Sequence, residues 1–420
     1  MPDVEALNTV AAADIEAVNG VAKANIQAIN GVGIPAGGAS LWAISVEGDD
    51  GYISWAATAD IADVTVWEGN LYQNAASNTA DGFEMAYGLD GSGGAMWMQV
   101  SNTSSKEIQF DGNNDITDES TWSVHNIHAD YGNAKCETIH YSNGDGNSDS
   151  SSGNAVTRVG CWIATGRTSS GNVWTHRSVD GGANWTHLNL NGLTNIAGNS
   201  NSDYHIRALA GDGTGNWLLA QRGNLYFSSD SGVSFAFLCQ PSGNGADKII
   251  DIVYTNATWC VLLNDGGTAM LYVCAGSTLT NMDDATNDWG STKMQDDPSD
   301  NSPANTEKLT GNSLQQMAGA GGRIVAVDTA RSLAATVNGK TTPTIQGTTQ
   351  TLPDEGSLRC IATDGTIWLA GSEGSSTGPD GGDICRSLDG GESWTRIVEG
   401  IHSGGDKEVH SIAANVVLPI

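Results

Sequence analysis

Basic residues are the scarcest feature of this 420-residue chain: Lys and Arg total 18 against 48 Asp and Glu, a formal net charge of −30 at pH 7. Such a surface lacks the clustered cations that a nucleic-acid backbone or an anionic bilayer demands, so neither is expected as a partner. Long apolar runs are missing too. No stretch of 18 consecutive apolar residues exists, and the opening MPDVEALNTV has neither a basic start nor an apolar core, so no membrane span and no signal peptide are expected. The seven cysteines include no CxxC pair, are odd in number and sit in apolar runs such as Trp259-Cys260-Val261-Leu262. They read as buried thiols, not as a disulfide framework or a zinc site. What is abundant is glycine, at 54 residues, together with Asn, Asp, Ser and Thr. That composition favours many short strands joined by tight turns over long helices.

Three segments share the pattern S-x-D-x-G-x-x-[WF]: Ser178 to Trp185, Ser228 to Phe235 and Ser387 to Trp394. The spacing suits a hairpin in which Asp accepts backbone N–H groups, Gly supplies a positive φ and the aromatic ring packs between neighbouring sheets. Decayed copies fall at Asp284 with Trp289 and at Asn338 with Pro343, and Trp67 and Trp122 continue the series upstream. Seven units result. An apolar strand moves with them, opened by Trp42, Trp97, Trp162, Trp217, Trp259, Ile324 and Trp368. Each reads as the second strand of a four-stranded blade, preceded by an inner strand such as Ile206-Arg-Ala-Leu-Ala. The first copy has no room for an inner strand after Pro35, whereas Val409-His-Ser-Ile-Ala at the other end looks like one.

The repeat resembles the Asp-box, or BNR repeat, of sialidase-like and sortilin-like propellers and of photosystem-assembly factors. The expected fold is therefore all-β: a seven-bladed β-propeller over residues 38–420, closed by the C-terminal strand and preceded by a short helical N-terminal segment over residues 1–37. In that segment an 11-residue repeat places apolar residues at Val4, Leu7, Ile15, Val18, Ile26 and Ile29. One apolar stripe on about 35 residues cannot bury itself, so it calls for a partner, a homo-oligomeric bundle or the propeller's own flank. Gly20 and Gly31 offer a second reading, in which short turns break the helix. The I-x-x-[VI]-N-G-V pattern resembles N-terminal anchors of tailed-phage structural proteins, which implies a virion location and contact with other virion proteins through residues 1–37.

Likeness to sialidases implies a search for three arginines that grip a substrate carboxylate. The chain has ten arginines, and Arg177 and Arg386 belong to the box hairpins. Arg207 and Arg359 fall on expected inner strands and, with Tyr204, form the one candidate constellation. Metal chemistry has a single candidate: Asp111, Asn113, Asp115 and Asp118 alternate as calcium ligands do, but Ile116 stands where a calcium loop turns on glycine and Trp122 where it places a bidentate Glu. No cofactor is assigned, with calcium the one ion that has donors. The leading expectation is a non-catalytic phage virion appendage, a tail fibre or host-binding propeller whose aromatic and amide side chains meet a host-surface glycan. The alternatives are a sialidase-like glycan-cleaving enzyme, and a protein-binding propeller of a bacterial assembly factor or receptor.

Overall fold

The structure is a computed structural model that describes residues 17–18, 21–22, 28–29, 32–33, 41–46, 52–69, 71–73, 82–90, 94–101, 107–111, 116, 122–126, 134–146, 159–168, 173–188, 190, 206–245, 247–275, 289–300, 305–339, 341–353, 357–373, 381–401 and 408–415. Six antiparallel four-stranded sheets follow one another along the chain, over residues 82–126, 134–188, 206–239, 248–293, 314–351 and 358–401, and form the first to sixth blades. A further four-stranded sheet is a composite. Val409–Ala414 pairs with Leu41–Val46, and Tyr52–Ala57 and Leu71–Gln73 follow outward.

The innermost strands are Gly82–Leu89, Ala134–Gly146, Ile206–Gly211, Lys248–Thr255, Leu314–Ala320, Leu358–Thr363 and Val409–Ala414. Each touches the next, and Val409–Ala414 touches both Leu358–Thr363 and Gly82–Leu89, so the ring is closed. Apolar packing follows the same path. Trp42, Ile44, Val409 and Ile412 of the composite sheet pack with Leu369 and Ile384 of the sixth blade, while Ala43, Ile53, Trp55 and Ala413 pack with Met85 and Trp97 of the first. The tryptophans that open the second strands are buried, and Trp162 Nε1 reaches back 2.8 Å to the Leu89 carbonyl of the preceding blade. All seven cysteines are buried and none is joined in a disulfide.

At the three full repeats the turn chemistry is identical. Ser178 Oγ donates to Asp180 Oδ1 (2.8 Å) and accepts the Gly182 N–H (2.8 Å), and Asp180 Oδ1 accepts the Asn184 N–H (2.9 Å). Ser228, Asp230 and Ser234 repeat this, as do Ser387, Asp389 and Ser393. Burial alone would raise these Asp carboxyls, but the hydrogen bonds from Asn184, Ser234 and Ser393 outweigh it and hold all three below the usual carboxylate value.

The glycine is required twice over. Gly391 has φ +89°, and a Cβ there would lie 2.6 Å from Val325 Cγ2 on the second strand of the fifth blade. Gly391→Ala should therefore lower the unfolding free energy by about 2–3 kcal/mol in denaturant titrations, through left-handed strain and overpacking together. A neutral result would mean the box is a loosely held turn.

Two expectations are corrected. The first is the expected seven-bladed propeller: six blades are continuous in the chain and the remaining sheet is the composite one, where Trp67 lies in the only α-helix among the described residues, Val64–Gly69, instead of closing a box hairpin. The Trp67 ring is fully buried, its Nε1 donates 3.0 Å to the Ile61 carbonyl, and its own carbonyl accepts the Ser54 hydroxyl, so a helical turn docks where a hairpin was expected. The N-terminal segment is the second correction. Its described residues form no helix but two short antiparallel ladders, Ala17–Val18 with Val21–Ala22 and Ala28–Ile29 with Val32–Gly33. Val18 pairs with Val21 and Ile29 with Val32. Val4, Leu7, Ile15 and Ile26 lie outside the described residues.

Candidate functional site

Every innermost strand slips register near its start: between Gly82 and Met85, Cys136 and Thr138, Ile206 and Ala208, Ile249 and Asp251, Leu314 and Gln316, Leu358 and Cys360, and Val409 and Ser411. A bulge takes backbone N–H groups out of the ladder, and each then needs another acceptor. The neighbouring blade supplies it. Glu84 accepts the Ile139 N–H (3.1 Å), Asp251 Oδ2 the Met317 N–H (2.9 Å), Gln316 Oε1 the Ile361 N–H (2.9 Å) and Ser411 Oγ the Met85 N–H (3.1 Å). In the third blade the equivalent position is Ala208, which has no side-chain acceptor. Asp251 compensates by taking its own neighbour's N–H, from Ile252, at 2.8 Å through Oδ1. Cys360 makes a weaker link, its thiol donating 3.4 Å to the Val409 carbonyl of the closing strand.

These polar groups stand around the axis. Burial pushes the Glu84 carboxyl up to about 8 and the Asp251 carboxyl up to about 7, and Asp251, three blades away around the ring, adds a smaller upward push on Glu84. Burial also drives His140 down to about 4, where its ring lies edge-on to Trp217 at 5.8 Å. Carboxyls shifted this far often mark general acids. Here both are committed to backbone N–H groups of the next blade, so their chemistry is that of clamps between blades.

The candidate constellation from the sequence is only partly brought together. Arg207 and Arg359 do lie on innermost strands, of the third and sixth blades. Tyr204 lies outside the described residues. Arg359 is not free to grip a substrate carboxylate: its guanidinium pairs with Glu373 and, at 3.4 Å, with Glu408, which also stands 3.4 Å from His410 Nε2. At the same mouth Arg167 pairs with Glu137 at 2.6 Å. Of the calcium candidates, Asp111 ends the strand Glu107–Asp111 opposite Trp122, and Asn113, Asp115 and Asp118 lie outside the described residues. Among the described residues no group of three or more His, Cys, Asp and Glu is placed to hold a metal.

Sequence reasoning missed the clamp residues Glu84, Asp251, Gln316 and Ser411. Their signal was faint: a polar residue of changing type at a fixed place in four of the apolar inner strands, with Ala208 breaking the series. A second feature it missed lies at the opposite, box-bearing end, a groove of about 410 Å³ between the fifth and sixth blades lined by Arg323, Trp368, Leu388 and Asp389. Leu388 is 63 % exposed there, and Arg323 is held by the Gly390 carbonyl (2.9 Å) and Glu392 (2.8 Å).

No family model matches the chain, and no curated protein matches it. Solved structures similar to it include YCF48 bound to D1 peptide, at 12% identity over 76% of this chain and 81% of that one with a TM-score of 0.44. The GH74 enzyme of Niastella koreensis is 13% identical over 90% of this chain and 68% of its own, with a TM-score of 0.40. A chain of the mitotic checkpoint complex is 10% identical over 79% and 83%, with a TM-score of 0.47. The likeness to each is one of propeller fold alone.

Proposed function

We propose that this chain is a non-catalytic recognition propeller, carried on a phage particle as an appendage and turned toward a host surface. The observation that carries the non-catalytic part is the state of Arg359. A sialidase-type site needs guanidinium groups open to a carboxylate substrate, whereas this one already faces Glu373 and Glu408. Support for the particle comes from the I-x-x-[VI]-N-G-V pattern at residues 15–21 and again at 26–32, which would tie residues 1–37 to other virion proteins. The strongly acidic surface suits a protein that must stay dispersed and not adhere to nucleic acid.

The reading is tested in two steps. Mass spectrometry of purified particles should detect the chain, and deleting residues 1–37 should remove it from particles while the propeller still folds; particles that retain the deleted form would sink the anchoring role. Hydrolysis of a fluorogenic sialoside by the purified protein should stay at background. Turnover that disappears in Arg359→Gln would replace this reading with the enzymatic one.

A further inference from the structure

Between the third and fourth blades, at the mouth where the innermost strands begin, lies a carboxylate pair that neither the clamps nor the host-binding role uses. Asp247 immediately precedes the inner strand Lys248–Thr255, and Asp265 ends the second strand Thr258–Asp265. Lys248 and Asn264 are register partners, so the two Asp residues flank the last rung of that ladder. Asp247 is only 6 % exposed. Its Oδ1 accepts the Asn244 amide at 3.1 Å, but Oδ2 is buried with no hydrogen-bond partner among the described residues. A buried carboxylate oxygen without a partner is unfavourable by several kcal/mol in general, and something must offset it.

Asp265 lies across the ladder from Asp247, one place beyond the Lys248–Asn264 pair, so two carboxylates share this end of the sheet. The turn at Gly223 sits directly over the loop, with the carbonyl oxygens of Asn244 and Asp247 nearest to it. Nearby Asn224 and Gln240 bond to each other at 2.7 Å. Oxygen is the dominant donor, with no thiolate or imidazole in the group.

We propose that Asp247 and Asp265 bind a hard divalent cation of the calcium class at this junction, fastening the loop after the third blade to the strands of the fourth. The two carboxylates supply the charge, and water with loop carbonyls completes the oxygen shell that such ions require. Asp265, the more exposed of the pair, is the side from which the ion enters. Two carboxylates suit a dissociation constant on the order of 10⁻⁴ to 10⁻³ M, the range of extracellular modules.

Terbium luminescence on the full chain, read with direct excitation of the lanthanide, tests this. Wild-type protein should show terbium emission that calcium displaces, and Asp247→Asn and Asp265→Asn should each weaken calcium binding about tenfold or more. Asp115→Asn, in the Asp111 to Asp118 segment, should leave it unchanged. The proposal fails if both site variants bind calcium as the wild type does, or if the wild type binds none at millimolar concentration. It also fails if calcium leaves the melting temperature unmoved while Asp247→Asn raises it, since that result would assign the buried oxygen a proton instead of a metal.

Discussion

A chain ending before Val409 should lose its cooperative unfolding transition altogether. Val409–Ala414 is the innermost strand of the composite sheet, with Val409 and Ile412 buried and Ser411 clamped on the Met85 N–H of the first blade. Burial of two such aliphatic side chains contributes about 1.5–3 kcal/mol each. The ladder to Leu41–Val46 adds about 0.5–1.5 kcal/mol per bond. The sum is on the order of 10 kcal/mol, comparable with the whole net stability of an ordinary domain. The loss also uncovers Trp42 and the inner strands on either side. Circular dichroism melting and gel filtration check it: a broad, aggregating species is expected, and a sharp transition within a few degrees of the intact protein would show that the ring does not depend on its closing strand. Peptide 409–415 added in trans should restore the transition.

Stability should also rise as the pH falls from about 8 to about 5. Glu84 and Asp251 keep their protons in the folded chain up to about 8 and about 7, whereas an unfolded carboxyl releases its proton near 4. The folded state therefore binds more protons across that window. The stability this contributes is complete below the unfolded value and is lost as the pH climbs through the folded ones. Each tenfold difference in proton affinity between the two states is worth about 1.4 kcal/mol, so even half of the full effect for one group is on the order of 2 kcal/mol. The box carboxyls act in the opposite sense. Asp180, Asp230 and Asp389 are held low, so their contribution is present at neutral pH and fades as the pH drops through their folded values, below the ordinary 3.8. Denaturant titrations at pH values across this range should thus show a maximum on the acid side of neutrality. The double variant Glu84→Gln with Asp251→Asn keeps one amide oxygen for the Ile139 N–H and one for the Met317 N–H, gives up the acceptor of the Ile252 N–H, and should lower stability overall while flattening the slope. A slope unchanged in that variant would assign the effect to relief of the overall negative charge instead.

Much of the architecture could be read from the chain because it is encoded locally. The box turns at Ser178, Ser228 and Ser387 close within seven residues, from Ser178 to Asn184 in the first, and buried tryptophans mark the same place on the second strand of every sheet except the fifth blade's, where Ile324 stands. The match of Val409 to Trp42's sheet was also legible, since one unit lacked what the other end supplied. The N-terminal segment was misjudged for a physical reason. Apolar residues at i, i+3 and i+6 of an 11-residue repeat suggest a helix, whereas Asn19-Gly20 and Asn30-Gly31 are the stronger local signal, for a hairpin. At Trp67 an aromatic residue in the right place hid a change of backbone, because burial of a large ring is compatible with helix and hairpin alike. The clamp residues could not be found by motif at all. Glu84, Asp251, Gln316 and Ser411 share no side-chain type, only the task of accepting an N–H, and Ala208 shows the position tolerates an absence when the next blade supplies its own acceptor.

The composite sheet has a consequence for how the polypeptide could be rewired. Asn415 and Leu41 are joined by two hydrogen bonds of 2.9 Å, one from the Asn415 N–H to the Leu41 carbonyl and one from the Leu41 N–H to the Asn415 side chain. A few inserted residues would splice these points together, and a new opening at the Asn338 to Thr341 turn would leave the contacts between the innermost strands in place, at the expense of the Gly339 N–H bond to Thr258 Oγ1. Such a circular permutant would turn the composite sheet into an unbroken run of chain and move the split into the fifth blade, making the point of entry into the ring a matter of genetic choice.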